Sequence, residues 1–148
     1  MDFDAIYREE RPGLLRLARV LLRSQPVAEE LVQEAFLRLH DHFGEVHNPA
    51  GFLRTVVVRL AITARGRDDM ERARLALLPP VRHPDMEEPD ETWEALGRLP
   101  PERATVLVLR FYEDLGHEQI AEVLGCSAGT VRSRVRRALA DLREELER

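Results

Sequence analysis

The run from Gly125 to Ala138 constrains the fold more than any other stretch of this sequence. Just before it, apolar residues recur at helical spacing in residues 116–124, and Ala121 is small enough for a second helix to approach closely. Gly125 permits the positive φ that ends one helix, and Ser127 can cap the next. The pattern therefore predicts two short helices joined by a tight turn, which is a helix-turn-helix.

The second helix of this pair has an apolar back and an arginine-rich front. Five apolar residues follow spacings of three and four, which predicts one buried stripe: Val131, Val135, Ala138, Leu142 and Leu146. Ser133, Arg136 and Arg137 face away from that stripe, and Arg132 and Arg134 flank it. No acid interrupts the arginines. Because arginine pairs with guanine edges and phosphates in the DNA major groove, we prefer DNA binding to the alternative of a solvated surface helix.

The charges of the chain are distributed unevenly. The 148 residues carry a formal net charge of -5, and 44% of them are hydrophobic, as in folded chains. Acids gather at residues 85–94 and in Glu29, Glu30 and Glu34, whereas residues 131–137 contain only basic charges. This asymmetry predicts separate surfaces for different partners.

Other features of the sequence bear on the location of the protein. The single cysteine, Cys126, cannot form an intrachain disulfide. No apolar run approaches membrane-spanning length, and the first residues, Met1 to Asp4, are acidic rather than signal-like. We therefore expect a soluble, cytoplasmic protein without membrane insertion.

Apolar periodicity predicts three helices in the N-terminal part of the chain. The first covers residues 4–23, with Pro12 marking a bend or an early start. Residues 24–26 stop this helix and open a second, which runs to about His42. After a loop, a third helix runs from about Ala50 to Gly66, and its apolar residues are dense enough for the centre of a bundle.

Residues 78–91 combine four prolines with a cluster of acids and leave almost nothing to bury. We predict a linker there, between one domain at residues 1–77 and another at residues 92–148. In the second domain, Thr92 is expected to cap a short helix, and Pro100 to open a longer one whose core contains Val106, Leu107, Leu109 and Phe111. The predicted fold class is all-α, with two small helical domains: a three- or four-helix bundle and a helix-turn-helix domain.

An enzymatic function has little support in the sequence. The residues from His117 to Ala121 begin like a zinc-protease helix, but Ala121 stands where the second histidine is required. The chain has no phosphate-binding glycine loop, and its five histidines are scattered and form no ligand set. We therefore predict no catalytic residue, no metal site and no cofactor.

Two blocks of sequence resemble the extracytoplasmic-function (ECF) group of bacterial RNA polymerase sigma factors. The first block is AEELVQEAFLRL, from Ala28 to Leu39. The second comprises LPPER from Leu99, LVLRFYE from Leu107, and residues 120–142. Both blocks occur in the order and at the spacing of that group. The resemblance implies a non-enzymatic protein that binds core RNA polymerase and directs it to a class of promoters.

The resemblance also implies candidate contacts in the first domain, which is similar to sigma region 2. Its second helix would dock on the clamp coiled coil of polymerase through Glu30, Gln33, Glu34 and Arg38. The following loop and helix would capture an unstacked base of the minus-ten element, which needs a polar pocket and a stacking or apolar wall. The candidates for the pocket and wall are His47, Asn48 and Phe52, and the nearby cations are Arg54, Arg59 and Arg65.

The second domain is similar to sigma region 4, which reads the minus-thirty-five element. Arg132, Ser133, Arg136 and Arg137 would read bases, and Thr130 and Arg134 would touch phosphates. The expected partners are core RNA polymerase, at its clamp coiled coil and its flap, promoter DNA, and an anti-sigma factor.

One stretch departs from the group. Its members usually carry a strongly basic tract after the third helix, whereas here Asp68, Asp69 and Glu71 follow Arg67 at once. Fewer cations predict weaker engagement of the minus-ten element. Two alternatives stay open: a sigma-like protein that binds polymerase or an anti-sigma factor without opening promoters, and a stand-alone helix-turn-helix regulator.

Overall fold

The computed structural model of the protein describes residues 2–22, 24–67 and 91–148. The chain divides into two compact units, Met1–Val81 and Arg82–Arg148. Every regular element in the described ranges is helical, which confirms the predicted all-α class. Apart from Glu91, which begins a helix, the predicted linker at residues 78–91 lies outside the described residues. Asp68, Asp69 and Glu71 lie outside them as well.

Three helices form the described part of the first unit: α1 spans Phe3–Leu22, α2 spans Gln25–Asp41, and α3 spans Pro49–Arg67. A single 3-10 turn, Phe43–Glu45, lies between α2 and α3. The start of α2 follows from its sequence, because the Ser24 Oγ accepts a hydrogen bond from the Val27 N–H and Pro26 occupies the first turn.

The three helices of the first unit pack against one another around a shared apolar core. Its buried members are Leu14, Leu15, Ala18, Ala28, Val32, Ala35, Phe36, Leu39, Leu53 and Val57. The ring of Phe3 meets those of Phe36 and Phe43 edge-on, at centroid distances of 6.3 and 5.7 Å. Because Phe43 and Val46 also pack on this core, the loop after α2 is held against the bundle.

The second unit contains α4 (Glu91–Arg98), α5 (Pro101–Leu107), α6 (His117–Leu124) and α7 (Ala128–Leu146). A π-helical turn, Val108–Tyr112, extends α5. The helices α4, α5 and α6 all pack against α7, which is therefore central to the unit. The buried apolar residues are Ala95, Leu99, Ala104, Val106, Leu107, Val108, Leu109, Leu115, Ile120, Ala121, Val123, Val131, Val135 and Ala138.

Phe111 departs from the core predicted for the second unit. Its side chain is 59% exposed, whereas Leu109 is fully buried. The Glu113 N–H donates to the carbonyl of Val108, five residues back, at 3.0 Å. This wider turn inserts an extra residue into the helix and carries Phe111 out of the apolar stripe. The prediction that Phe111 belongs to the core was wrong.

Two smaller predictions also need correction. Thr92 does not cap α4, because that helix already begins at Glu91. The buried stripe of α7 ends at Ala138, since Leu142 is only half-buried and Leu146 is exposed. In these last turns α7 meets its neighbours through ion pairs, Asp141 with Arg103 of α5 and Glu145 with Arg98 of α4, instead of through an apolar stripe.

Candidate nucleic-acid interface

The turn between α6 and α7 has the geometry that the sequence predicts. Gly125 adopts φ 73° and ψ 38°, the left-handed conformation that favours glycine. The N–H groups of Gly125 and Cys126 both donate to the carbonyl of Ala121, at 2.8 and 3.1 Å. The Ser127 Oγ accepts a hydrogen bond from the Thr130 N–H at 3.1 Å and so caps α7. Two helices joined in this way form a helix-turn-helix.

The exposed front of α7 carries the predicted base-reading residues. Arg132, Ser133, Arg136 and Arg137 are exposed, and Arg134 and Thr130 are half-buried at the sides. The Thr130 hydroxyl shares a hydrogen bond with Ser127 at 2.9 Å. None of the four arginines of this face forms an ion pair within the part of the chain that the structure describes. Their guanidinium groups are therefore available for an anionic ligand.

The C-terminal half of α7 is built differently. Its acids pair with arginines of the neighbouring helices: Glu145 with Arg98 of α4, at 2.8 Å, and Asp141 with Arg103 of α5. Both acids are more shielded than their partners. Arg98 and Arg103 thus tie α7 to the neighbouring helices, whereas the arginines on the front of α7 form no ion pair among the described residues.

A polar face of α2 carries the predicted protein-binding residues. Glu30, Gln33 and Arg38 are exposed, and Glu34 is half-buried. The Arg38 Nε lies 3.0 Å from the Glu34 Oε1, so these two candidates pair with each other across one helical turn. Between them lies Leu37, which is 55% exposed. We call these five residues the α2 face.

The loop before α3 places the predicted polar pocket residues at its surface. His47 and Asn48 are exposed, and Phe52 is half-buried against the core of the first unit. The Asn48 Oδ1 accepts a hydrogen bond from the Gly51 N–H at 3.2 Å, so this side chain caps α3. A Cβ on Gly51 would lie 2.7 Å from the Asn48 Nδ2, so a side chain at that position would have to displace the Asn48 amide.

The three predicted cations of α3 differ in access to solvent. Arg59 is exposed and Arg54 is half-buried, so both can approach a phosphate. Arg65 is only 4% exposed. Its predicted contact with DNA is not supported by this placement, because a guanidinium enclosed by protein cannot reach a phosphate without rearrangement.

Leu37, Phe111 and Tyr112 are among the exposed apolar side chains that sequence reasoning missed. Leu37 could have been found from helical spacing, because it follows Gln33 by four residues and must share its face. Phe111 and Tyr112 are 59% and 45% exposed, next to each other, with the Arg110 guanidinium 5.4 Å from the Phe111 ring centroid. Nothing in the sequence signals the π-helical turn that exposes them.

Among the described residues, no helix is long and apolar enough to cross a membrane. Nor do three histidine, cysteine, aspartate or glutamate side chains come together as a set of metal ligands in those parts of the chain.

Comparison with known proteins agrees with both halves of this description. The family profile described as Sigma-70 region 2 matches residues 6–69, and that of Sigma-70 region 4 matches residues 90–142. The chain is 34% identical to the RNA polymerase sigma-E factor of Streptomyces avermitilis, over 99% of this chain and 86% of that protein. It is 30% identical to the RNA polymerase sigma factor SigV of Bacillus subtilis, over 93% and 87% of the two chains.

A solved structure shares the fold. The sigma factor RpoE from Bartonella quintana, crystallised with the anti-sigma factor NepR, matches with a TM-score of 0.75 over 99% of this chain and 97% of that one, at 23% identity. The two family profiles and the named relatives define a transcription factor of the sigma type. The chain belongs to the sigma-70 family, in the ECF group of RNA polymerase sigma factors.

Proposed function

We propose that this sigma factor binds polymerase through the α2 face and Phe111 with Tyr112, reads the minus-thirty-five element with α7, and contacts the minus-ten element through the loop before α3. The arginine-rich front of α7 is the observation that supports this proposal most strongly. It lies on a helix-turn-helix, it is exposed, and its cations are not used elsewhere in the described structure.

Within α7, the base-reading role goes to Arg132, Ser133, Arg136 and Arg137. Arginine makes bidentate contacts with guanine in the major groove, and serine accepts or donates to several bases. Arg134 lies at the side of this front, half-buried, and is suited to a phosphate beside the groove.

The α2 face is proposed to dock on the polymerase clamp. Glu34 and Arg38 already form an ion pair with each other, and ion pairs between solvent-exposed side chains contribute little to folding stability. Glu30, Gln33 and Leu37 keep their polar and apolar surfaces available. The exposed Phe111 and Tyr112 offer a second, apolar contact, which we assign to the polymerase flap.

The contact with the minus-ten element is proposed for His47, Asn48 and Phe52, with Arg54 and Arg59 as nearby cations. Phe52 presents part of an aromatic surface on which an unstacked base can lie, and His47 and Asn48 supply exposed polar groups. Because Arg65 is enclosed, the proposal assigns only Arg54 and Arg59 to this site.

An anti-sigma factor is the proposed regulatory partner. The Bartonella quintana relative was crystallised with one. An anti-sigma factor that covers the α2 face would compete with core polymerase, and its addition should lower transcription in proportion to its concentration.

Run-off transcription tests the proposal. Purified core polymerase, this protein and the DNA upstream of its own gene should give a discrete transcript that depends on the protein. Polymerase binding without a transcript, repeated on further promoters, would favour the sigma-like interaction protein. Promoter binding without polymerase binding would favour a stand-alone regulator.

One variant and its control test whether the α2 face binds polymerase separately from the DNA-binding surfaces. Gln33→Ala should weaken polymerase binding several-fold and leave the affinity of the free protein for DNA unchanged. Glu9→Ala, at an exposed position of α1, is the matched control and should behave as the wild type. If Gln33→Ala binds polymerase normally, the docking surface lies elsewhere.

A further inference from the structure

Gly51, Gly125 and Gly129 lie near the proposed DNA contacts, and the structural reasons for glycine differ among them. Gly125 adopts a positive φ that favours glycine, and at Gly51 the Asn48 amide lies 2.7 Å from where a Cβ would be. Gly129, in the first turn of α7, has neither reason. Its φ lies outside the left-handed region, and a Cβ added there would meet only the Ser127 Oγ, at 3.9 Å, which is ordinary van der Waals contact.

Glycine at this position works against the helix that contains it. A helical glycine loses more conformational freedom on folding than alanine does, so alanine is preferred wherever it fits. Here alanine fits without moving any neighbour. Folding alone therefore does not explain the absence of a side chain at residue 129.

The place of Gly129 on the helix suggests what the missing side chain leaves room for. Residues three and four apart share a helix face, so Gly129 lies on the same face as Arg132 and Ser133, one turn closer to the start of α7. It is exposed, and the space in front of it is open. The front of α7 thus lacks a side chain at its first turn and carries long cationic ones further along.

We infer that Gly129 sets how closely α7 approaches promoter DNA. The DNA comes so near the Gly129 Cα that a side chain would separate the two surfaces. This inference rests on the proposed role of α7 in reading the minus-thirty-five element. It adds to that role a residue that contributes no contact group and acts by being small.

The inference predicts effects of opposite sign on folding and on binding. Gly129→Ala should raise the melting temperature of the full chain by about 2–4 °C, because the unfolded chain becomes less flexible. The same variant should lower the affinity for promoter DNA by about tenfold, since the arginine–base contacts beyond it are drawn away from the groove. Gly129→Leu should lower the affinity further and keep a melting temperature at or above that of the wild type.

Gly13 supplies a matched control. It lies inside α1, and a Cβ there would meet only the Arg16 guanidinium, also at 3.9 Å. Gly13→Ala should therefore raise the melting temperature to a similar degree and leave promoter affinity unchanged. A purely structural role for Gly129 predicts that the two alanine variants behave alike in both measurements.

The experiment uses a fluorescent duplex of the promoter that is active in the run-off assay. Polymerase holoenzyme containing each variant is titrated into it, and the fluorescence anisotropy gives the affinity. A decrease in affinity from glycine to alanine to leucine at residue 129, with Gly13→Ala unaffected, supports the inference. If Gly129→Ala is stabilised and binds DNA as tightly as the wild type while Arg137→Ala loses affinity, the inference fails and the proposed function stands. If the wild-type holoenzyme does not bind promoter DNA at all, the proposed function fails and the inference fails with it.

Discussion

The two units present their candidate DNA contacts in different ways. In the second unit the contacts stand on a long helix whose apolar back is buried and whose N-terminus is capped by Ser127. In the first unit they lie on a loop and on the helix that follows, and one of the candidates, Asn48, caps that helix through its hydrogen bond with Gly51. A helix fixes the direction of many side chains at once, whereas a loop fixes each one by its own local contacts.

This difference bears on how the two sites tolerate change. Removing one exposed arginine from α7 removes a ligand contact and leaves the helix intact. Removing the Asn48 amide removes a proposed DNA contact and a helix cap together. Binding and folding should therefore be separable in the second unit and coupled in the first.

The largest expected effect concerns the front of α7. The double variant Arg136→Ala and Arg137→Ala should lower promoter affinity about a hundredfold, because each arginine–base contact is worth roughly 1–3 kcal/mol. The melting temperature should not fall, since both side chains are exposed. Anisotropy titration and thermal unfolding followed by circular dichroism measure the two quantities.

The double variant Arg98→Ala and Arg103→Ala is the control, because it removes the same two charges from paired sites in the same unit. It should change promoter affinity less than threefold. An equal loss of affinity in the control would mean that total charge, and not the front of α7, determines binding.

The second prediction concerns Arg65, which is the enclosed cation of the first unit. Arg65→Ala should lower the free energy of unfolding by about 1–3 kcal/mol, because the long side chain is packed among protein atoms. At temperatures where the variant is folded, transcription should be close to normal. Arg59→Ala should show the reverse, with normal stability and reduced transcription, since Arg59 is exposed. If a fully folded Arg65→Ala protein loses transcription, Arg65 contacts DNA as the sequence predicted.

The limits of sequence reasoning follow from the same contrast. The helix-turn-helix and the exposed arginines of α7 could be predicted, because helical period, a glycine C-cap and a serine N-cap are all local signals. The enclosure of Arg65 could not, since α3 has apolar residues around most of its circumference and its spacing does not indicate which side faces solvent. The exposure of Phe111 was missed because a π-helical turn changes the register without a marker in the sequence.

The third prediction tests the coupling of cap and contact in the loop. Asn48→Ala should destabilise the first unit by about 1 kcal/mol, the usual cost of losing an N-cap, and should also reduce promoter opening. Asn48→Ser keeps an N-cap oxygen but removes the amide. If Asn48 only caps α3, the serine variant restores both stability and opening; if its amide also contacts DNA, stability returns and opening does not. Permanganate footprinting of the opened promoter, with thermal unfolding in parallel, distinguishes these results.

The smallest expected effect concerns Arg134, at the side of α7. Arg134→Ala should weaken promoter binding only a few-fold, and by the same factor for promoters of different sequence, because a phosphate contact carries no base information. The slope of log affinity against log salt should become shallower by about 0.9, the value for one neutralised phosphate. Arg137→Ala, in contrast, should weaken binding to some sequences more than others. A change of sequence preference in Arg134→Ala would mean that Arg134 reads bases. The base-reading surface of α7 would then include the side of the helix that carries Arg134 as well as its front.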